Sequence, residues 1–257
     1  IPAHEATINE EVTASLWDIS ITKNVMSLII SCIILLWIML TFAKSYNQRK
    51  GMAPKGIQSL IEPIIILIRD DVAKASIGPK YEKFVPYLLT IFFFILINNL
   101  LGLVPFFPGG ANLTGNISIT CTLAIITFII QLFNSKSSFW QHIFAMPGVP
   151  KGVLVLLTPI EVLSLFLKPF VLMVRLFANI TAGHIVALAF ISLIFIFNEM
   201  YGAVGGYGIS VLSGVFYIFM GFLEMLVAFL QAYVFTLLSA IYFGEAVAEH
   251  HHEEHAH

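Results

Sequence analysis

Arg175 has the most unusual chemical setting in this sequence. It lies in the middle of a long apolar segment that begins at Phe166 and contains very few ionisable residues. A guanidinium keeps its charge because its pKa stays above ~12. A charged side chain at the centre of a bilayer costs roughly 2.5–3.5 kcal/mol on insertion scales. We therefore expect Arg175 to face a partner, a cavity or an ion path.

Other polar residues of the same segment fall on two faces if the segment is helical. At about 100° per residue, several of them share a stripe within about 40° of Arg175, namely Glu161, Ser164, Lys168 and Asn179. His184 falls near the opposite face. In the next apolar segment Glu224 and Gln231 are seven residues apart and share a face. The pattern predicts two polar surfaces, one of them centred on a fixed positive charge, which a single ligand pocket would not need.

Composition indicates that these residues lie in a membrane. Of the 257 residues 58% are hydrophobic and 11% are charged, whereas a soluble domain carries about 25% charged residues. The net charge of −2 argues against nucleic-acid binding. Cys32 and Cys121 lie in apolar runs, which favours packed thiols over a disulfide. We predict an all-α polytopic membrane protein with a single membrane domain.

Hydropathy predicts about five membrane helices and one interfacial helix. A span needs about 20 apolar residues, and three segments have suitable lengths: 24–43, 84–104 and 117–133. Residues 56–74 are interrupted by Glu62 and Pro63 and end in charges. An amphipathic helix at the membrane surface is the better interpretation of that segment.

Two further apolar runs are too long for simple spans. Residues 152–197 would form a helix of about 69 Å, whereas the hydrocarbon core is only ~30 Å thick. Residues 209–243 repeat the problem on a smaller scale. Either each run is broken or both helices are steeply tilted, and Pro159 and Pro169 allow kinks. We favour two long, strongly tilted helices joined by a loop at 199–208.

The distribution of basic residues predicts the orientation. Residues 44–83 contain eight Lys or Arg against four acids, and the loop at 134–151 adds two lysines. The positive-inside rule places both loops in the cytoplasm or the mitochondrial matrix, and the polar segment 1–23 outside. The chain begins at Ile1, which is compatible with removal of a leader. The acidic, His-rich tail 244–257 is expected on the inner side, as a flexible polar tail rather than a weak metal site.

Three stretches carry a resemblance to a known family. TPIEVLSLFLKPFVLMVRLFANITAGH resembles the signature of subunit a of F-type ATP synthases, the stator subunit that passes protons to the rotating c-ring. FLEMLVAFLQAYVFTLLSAIYFGEAV is similar to that family's C-terminal helix, and PYLLTIFFFILINNLLGLVPF to its second span. The resemblance covers most of residues 20–245, and the family's fold includes two long tilted helices.

The resemblance implies roles for individual residues. Arg175 matches the essential arginine that faces the c-ring carboxylate, Asn179 a conserved asparagine one turn on, and Gln231 a glutamine near the arginine. Glu161 and Ser164 match polar positions of the access channel on the cytoplasmic or matrix side.

His184 and Glu224 match an interacting pair of the family, which lies in the access channel from the outer side of the membrane. Some relatives exchange the order of this pair. Some bacterial relatives also carry an acid where this sequence has Gly102. Entry to the outer channel must then use other groups, and candidates are Asn98, Asn99, His184 and Glu224.

The resemblance implies a non-catalytic, proton-conducting subunit with two half-channels. Expected partners are the c-ring, peripheral stalk subunit b, other subunits, lipid and protons, with no cofactor or metal. A bacterial inner membrane is favoured over a mitochondrial one. The alternative is an ion-coupled secondary transporter, but such proteins commonly show internal repeats, and none is evident. A haem site would want a second axial histidine besides His184, and His142 is expected in a loop.

Overall fold

A computed structural model describes residues 23–48, 56–103, 113–144 and 150–248, and the regular elements of those ranges are all helical. Five of the helices are long and apolar enough to cross a bilayer. The prediction of an all-α polytopic membrane protein is confirmed. The predicted polar N-terminal segment and most of the predicted His-rich tail lie outside the described residues.

Three helices correspond to the simple spans: α1 (Lys23–Gln48), α3 (Val85–Leu103) and α4 (Ile117–Asn134). The Asn116 side chain caps α4 by accepting a hydrogen bond of 3.0 Å from the Ser118 amide, because the first amides of a helix have no partner within it. Helix α3 is the most buried of the five apolar helices. It therefore forms the centre of the bundle.

The predicted interfacial helix begins as α2 (Ile57–Ile66) and continues as a π-helical stretch, Leu67–Lys74. Ile68, Val72 and Ala73 are buried in the core, whereas Arg69 and Asp70 form an exposed ion pair of 2.8 Å. That guanidinium, through its hydrogen bond, holds the pKa of Asp70 below its usual value. The segment has the amphipathic character expected of it, but its second half is wound more loosely than an α-helix.

The last two apolar helices form a hairpin within the helical run Lys151–Val247. Inside that run the one residue with non-helical dihedral angles is Gly202, at φ 68° and ψ −168°, a conformation that only glycine adopts readily. The two arms are α6 (Gly152–Gly202) and α7 (Tyr207–Val247). The chain thus turns at Gly202, inside the predicted loop at 199–208, and both helices extend further into that segment than predicted.

The hairpin is antiparallel and its arms are unbroken. The rings of Phe190 and Phe216 stack with centroids 5.4 Å apart, and further along Lys168 pairs with Glu245. The arms contain 51 and 41 residues, or about 77 and 62 Å at ~1.5 Å per residue. Pro159 and Pro169 lie inside α6 without breaking it. Broken runs are thus excluded, and such lengths match the strongly tilted helices that were predicted.

The C-terminal half of α7 packs into the bundle through small residues. Ala228, Ala232, Ala240 and Ala246 are buried, and Gly244 lies directly against the backbone carbonyl of Ser76. Small side chains allow helix backbones to approach closely in a membrane. The first half of α7 instead exposes large apolar side chains, which suits contact with lipid or with another subunit.

Candidate functional site

The first candidate site is a cavity of ≈ 440 Å³ between α5 (Ser137–Phe144), α6 and the end of α7, called here the α5 cavity. Its polar lining combines predicted and unpredicted residues: Ser138, His142, Glu161, Ser164, Lys168 and Glu245. The structure thus brings together three members of the predicted α6 stripe. The cavity is wide enough to hold several water molecules at ~30 Å³ each.

Two of the charged residues that line the α5 cavity, Lys168 and Glu245, form an ion pair. The ammonium of Lys168 donates a hydrogen bond to the carboxylate of Glu245 and lies 5.2 Å from the centroid of the Tyr242 ring. The Ser138 hydroxyl donates to the Ala248 carbonyl at 2.8 Å, which holds α5 against the end of α7. The site therefore has a fixed polar rim built from three elements.

Three of the polar residues that line the α5 cavity were not predicted as site residues: Ser138, His142 and Glu245. His142 was expected in a loop, but it lies in helix α5, so that expectation is wrong. Phe139 and Ile143 are buried four residues apart while Trp140 and Phe144 are exposed. That spacing is typical of a short amphipathic helix and could have revealed α5. Nothing local could have joined Ser138 to Glu245.

The second candidate site is a cavity of ≈ 320 Å³ between α3, α6 and α7, called here the α3 cavity. Its lining is mostly apolar, and the two strongly polar side chains in it are Asn99 and Glu224. Gly183 lies so close to Glu224 that a Cβ atom on it would come within 2.9 Å of Oε1. The absence of a side chain at this position therefore makes room for the carboxylate.

Both polar side chains of the α3 cavity have buried oxygens to spare. The Asn99 amide donates to the Ala228 carbonyl at 3.2 Å. Its Oδ1 and the Oε1 of Glu224 are buried, and neither accepts a hydrogen bond from the residues that the structure describes. A buried acceptor left unsatisfied costs about 1–3 kcal/mol. Both oxygens can therefore accept a hydrogen bond from water, and the Glu224 carboxylate, unlike the Asn99 amide, can also take up a proton.

The structure describes the side chains of only some of the other residues predicted for the outer channel and for the region near Arg175. Asn98 is buried, but its amide donates to the Phe94 carbonyl of its own helix at 2.7 Å, and it does not line the α3 cavity. Gly102 is buried in α3. His184 follows Gly183 in α6, and Asn179 lies one turn after Arg175, but the side chains of both lie outside the described part of the chain.

Arg175 lies on α6 between the two cavities. It follows Ser164 by 11 residues and precedes Gly183 by eight, or about 17 Å and 12 Å along the helix. Leu172 and Leu176 turn into the core, whereas Arg175 is on the exposed side of α6 with Val171 and Ala178. Among the described residues no carboxylate forms an ion pair with its guanidinium.

Gln231 is buried in α7. The register of the hairpin, fixed where Phe190 stacks on Phe216 and Gly183 meets Glu224, places Gln231 level with Arg175. The arrangement is therefore a positive charge facing away from its own core, with one cavity that contains polar side chains towards each end of the bundle. Arg175 can therefore present its fixed positive charge to an anionic group of another molecule that contacts this face of α6.

Comparisons with known proteins agree on one family. Residues 25–244 match the family model described as ATP synthase A chain. The chain is 46% identical over 247 residues to "ATP synthase subunit a" of Chloroherpeton thalassium, covering 94% of this chain and 71% of the relative. It is 44% identical over 238 residues to "ATP synthase subunit a 2" of Chlorobaculum tepidum, with shares of 90% and 64%. For "ATP synthase subunit a" of Chlorobium phaeobacteroides, identity is 45% over 246 residues, with shares of 93% and 68%.

Proposed function

Since the chain belongs to the ATP synthase A chain family, we propose that it conducts protons as the stator subunit of the membrane sector of an F-type ATP synthase. It is a multi-pass membrane protein, and its bacterial relatives support a bacterial plasma membrane. The observation that carries the proposal is the exposed guanidinium of Arg175 between two separate cavities.

The expected partner of Arg175 is a carboxylate on the c-ring. Such a carboxylate is neutral while it faces lipid, because an unpaired buried charge is too costly. Within a few ångströms of Arg175 the ionised form is favoured, and the proton leaves. The uncovered apolar surface of α6 around Arg175, with Val171, Val174 and Ala178 exposed, supports docking of apolar rotor helices on this face.

The two cavities supply the two proton paths. In the direction of ATP synthesis a proton enters through the α3 cavity, where Glu224 and Asn99 offer acceptors, and is loaded onto the rotor. It is released on the other side of Arg175 into the α5 cavity, past Glu161 and Ser164. The fixed charge between the paths repels a proton that would otherwise cross directly. Each proton delivers about 2.3 kcal/mol per 100 mV of membrane potential.

The proposed His184–Glu224 pair belongs to the entry path. Its support is indirect: the residue before His184 is the one that lies against Glu224. An imidazole titrates near neutral pH, so it can pass a proton to a neighbouring carboxylate. Asn179 and Gln231 are proposed to line the region next to the arginine.

The basic end of the bundle is proposed to face the cytoplasm. Lys80, Lys83 and Lys136 lie together beside the end of α7, close to the α5 cavity. This places the α5 cavity on the cytoplasmic side and the α3 cavity on the outer side. Contacts with peripheral stalk subunit b are expected on the helix faces left uncovered. The chain itself makes and breaks no covalent bond other than those to protons.

The test is ATP-driven proton pumping in inverted membrane vesicles that carry Arg175→Ala. We expect pumping to fall more than tenfold while the complex still assembles, because the variant removes a charge that forms no ion pair with a carboxylate of the described residues. Lys44→Ala, at an exposed basic residue of α1, is the matched control and should pump normally. Normal pumping by an assembled Arg175→Ala complex would sink the proposal.

A further inference from the structure

A third cavity lies at the basic end of the bundle and has no place in the proposed proton path. It has a volume of ≈ 480 Å³, and we call it the lysine cavity. Its lining residues are Pro79, Lys80, Glu82, Lys83, Phe84, Asn134, Lys136 and Val247. Three lysines thus face one acidic residue, which gives the cavity an excess of positive charge.

The lysines come from two parts of the chain that are fixed to one another, Lys80 and Lys83 from one and Lys136 from the other. Lys83 ends a 3₁₀-helical stretch, Gly78–Lys83, and its ammonium donates to the Asn134 side chain at the end of α4, at 2.6 Å. The amide of Lys136 donates to the Ala246 carbonyl of α7 at 3.0 Å. The lining residue Phe84 is also held in place, because its buried ring stacks on that of Phe243 with centroids 4.9 Å apart. The cavity is therefore built before any ligand arrives.

Two of the amines of this cavity lie close together. A hydrogen bond between the side chains of Lys80 and Lys136, followed by desolvation and by the charge of Lys80, holds the pKa of Lys136 below its usual value. Like charges held this close are unfavourable unless an anion lies between them. An oxyanion with several acceptor oxygens would accept hydrogen bonds from both amines and reverse the sign of the interaction.

The depth of the cavity indicates the source of the anion. Lys83 lies two residues before the start of α3 and Lys136 lies two residues after the end of α4, so both amines lie where apolar spans give way to polar chain. In a bilayer this is the level of the phospholipid phosphates. Phe133, one residue before the lining residue Asn134, is 85% exposed and offers an apolar surface beside the cavity for an acyl chain.

We propose that the lysine cavity binds the phosphate headgroup of an anionic phospholipid, with Lys80 and Lys136 as its principal donors. Lys83 adds charge at the rim, and the acyl chains lie along α4. Basic pockets between membrane helices on the cytoplasmic side are suited to such headgroups. The site would tie the 3₁₀ stretch, α4 and the end of α7 together at the membrane surface.

The experiment is native mass spectrometry of the intact membrane sector, exchanged into a mixture of phosphatidylcholine and phosphatidylglycerol. We expect the wild type to retain phosphatidylglycerol, and Lys80→Gln/Lys136→Gln to lose it at least fivefold. Lys80→Arg/Lys136→Arg should keep it. The matched control is Lys44→Gln/Lys74→Gln, which removes two exposed lysines outside the cavity and should retain the lipid like the wild type.

Two further measurements separate the sources of the anion. Millimolar inorganic phosphate should not displace the lipid, and phosphatidylglycerol should raise the thermal midpoint of the wild-type complex more than phosphatidylcholine does. Equal lipid retention in the glutamine variant, or displacement by phosphate, would overturn the proposal. So would loss of an acidic neighbouring subunit from the glutamine variant with no change in lipid. The thermal measurement needs no variant, and an equal midpoint in the two lipids would also count against the site.

Discussion

The α5 cavity and the α3 cavity each hold a carboxylate, and the two carboxylates differ in their partners. In the α5 cavity Glu245 is paired with Lys168, and its side chain is 44% exposed. In the α3 cavity Glu224 lies among apolar side chains with a buried oxygen that has no described partner. An ion pair engages the Glu245 carboxylate, whereas the Oε1 of Glu224 is still able to accept a hydrogen bond from a water molecule or another donor. The contrast suits an open exit at one end and a proton acceptor at the other.

The largest effect is expected from removing the acceptor of the α3 cavity. Glu224→Gln preserves the shape of the side chain but cannot take up and release a proton. ATP-driven pumping should fall about 10²-fold or more, since a general acid–base group typically contributes 10²–10⁴-fold to the step it serves. Glu199→Gln, an exposed acid elsewhere on α6, should leave pumping unchanged. Normal pumping by the Glu224→Gln complex would contradict the role of the α3 cavity as the one that holds the proton acceptor.

A smaller effect should follow from crowding the same carboxylate. In Gly183→Ala the new methyl group would meet Oε1 at 2.9 Å and Cγ at 3.3 Å, so the flexible Glu224 side chain must shift. We expect pumping to fall severalfold, without loss of assembly. Gly221→Ala adds the same methyl group where no atom lies within 4 Å and serves as the control. If both variants pump alike, the position of the Glu224 carboxylate does not matter.

The ion pair of the α5 cavity should matter less. Partly exposed pairs contribute about 0–1 kcal/mol, so Lys168→Gln or Glu245→Gln should slow pumping about two- to threefold. The exchanged pair, Lys168→Glu with Glu245→Lys, should recover most of that loss because it restores the attraction. The measurement is the vesicle pumping rate of the two single variants and of the exchanged double variant, each compared with the wild type. Losses as large as that of Glu224→Gln would show that the two cavities do not differ as described.

The smallest effect on transport is expected at the turn that sets the register of both cavities. Gly202→Ala forces an L-residue into φ 68°, which costs about 1–3 kcal/mol. The thermal midpoint of the purified complex should fall, while pumping at room temperature changes less than twofold. Gly208→Ala has open space and no positive φ, so its midpoint should match the wild type. Equal midpoints for the two variants would show that the turn does not depend on Gly202.

Much of this arrangement could be predicted from the sequence, because hydropathy and helical period are local signals. The cost of a charge in an apolar segment singled out Arg175, and the length of the last two runs predicted the long helices. The α5 cavity could not be predicted in full. It depends on contacts such as that of Ser138 with Ala248, 110 residues apart, and no local pattern encodes such a pairing. The loop at 199–208 could be predicted, but not that the chain turns at Gly202, since three other glycines lie in 203–208.

The helical period predicts which residues share a face of α6, but not which side chains of other helices they contact. It placed Lys168 on the same stripe as Arg175, yet Lys168 reaches Glu245 in α7 whereas Arg175 stays exposed. The long lysine side chain can bend towards a carboxylate on a neighbouring helix. Which residues of one stripe find a partner is decided by the packing of the neighbouring helix.

The most direct test of the account asks from which side of the membrane each cavity is reached. Single cysteines are introduced as Ser164→Cys in the α5 cavity and Ala182→Cys in the α3 cavity, in a chain whose Cys32 and Cys121 are replaced by serine. A membrane-impermeant thiol reagent is then applied to inverted and to right-side-out vesicles. We predict that residue 164 reacts only from the cytoplasmic side and residue 182 only from the outside. Reaction of both positions from the same side would contradict two half-channels divided by Arg175.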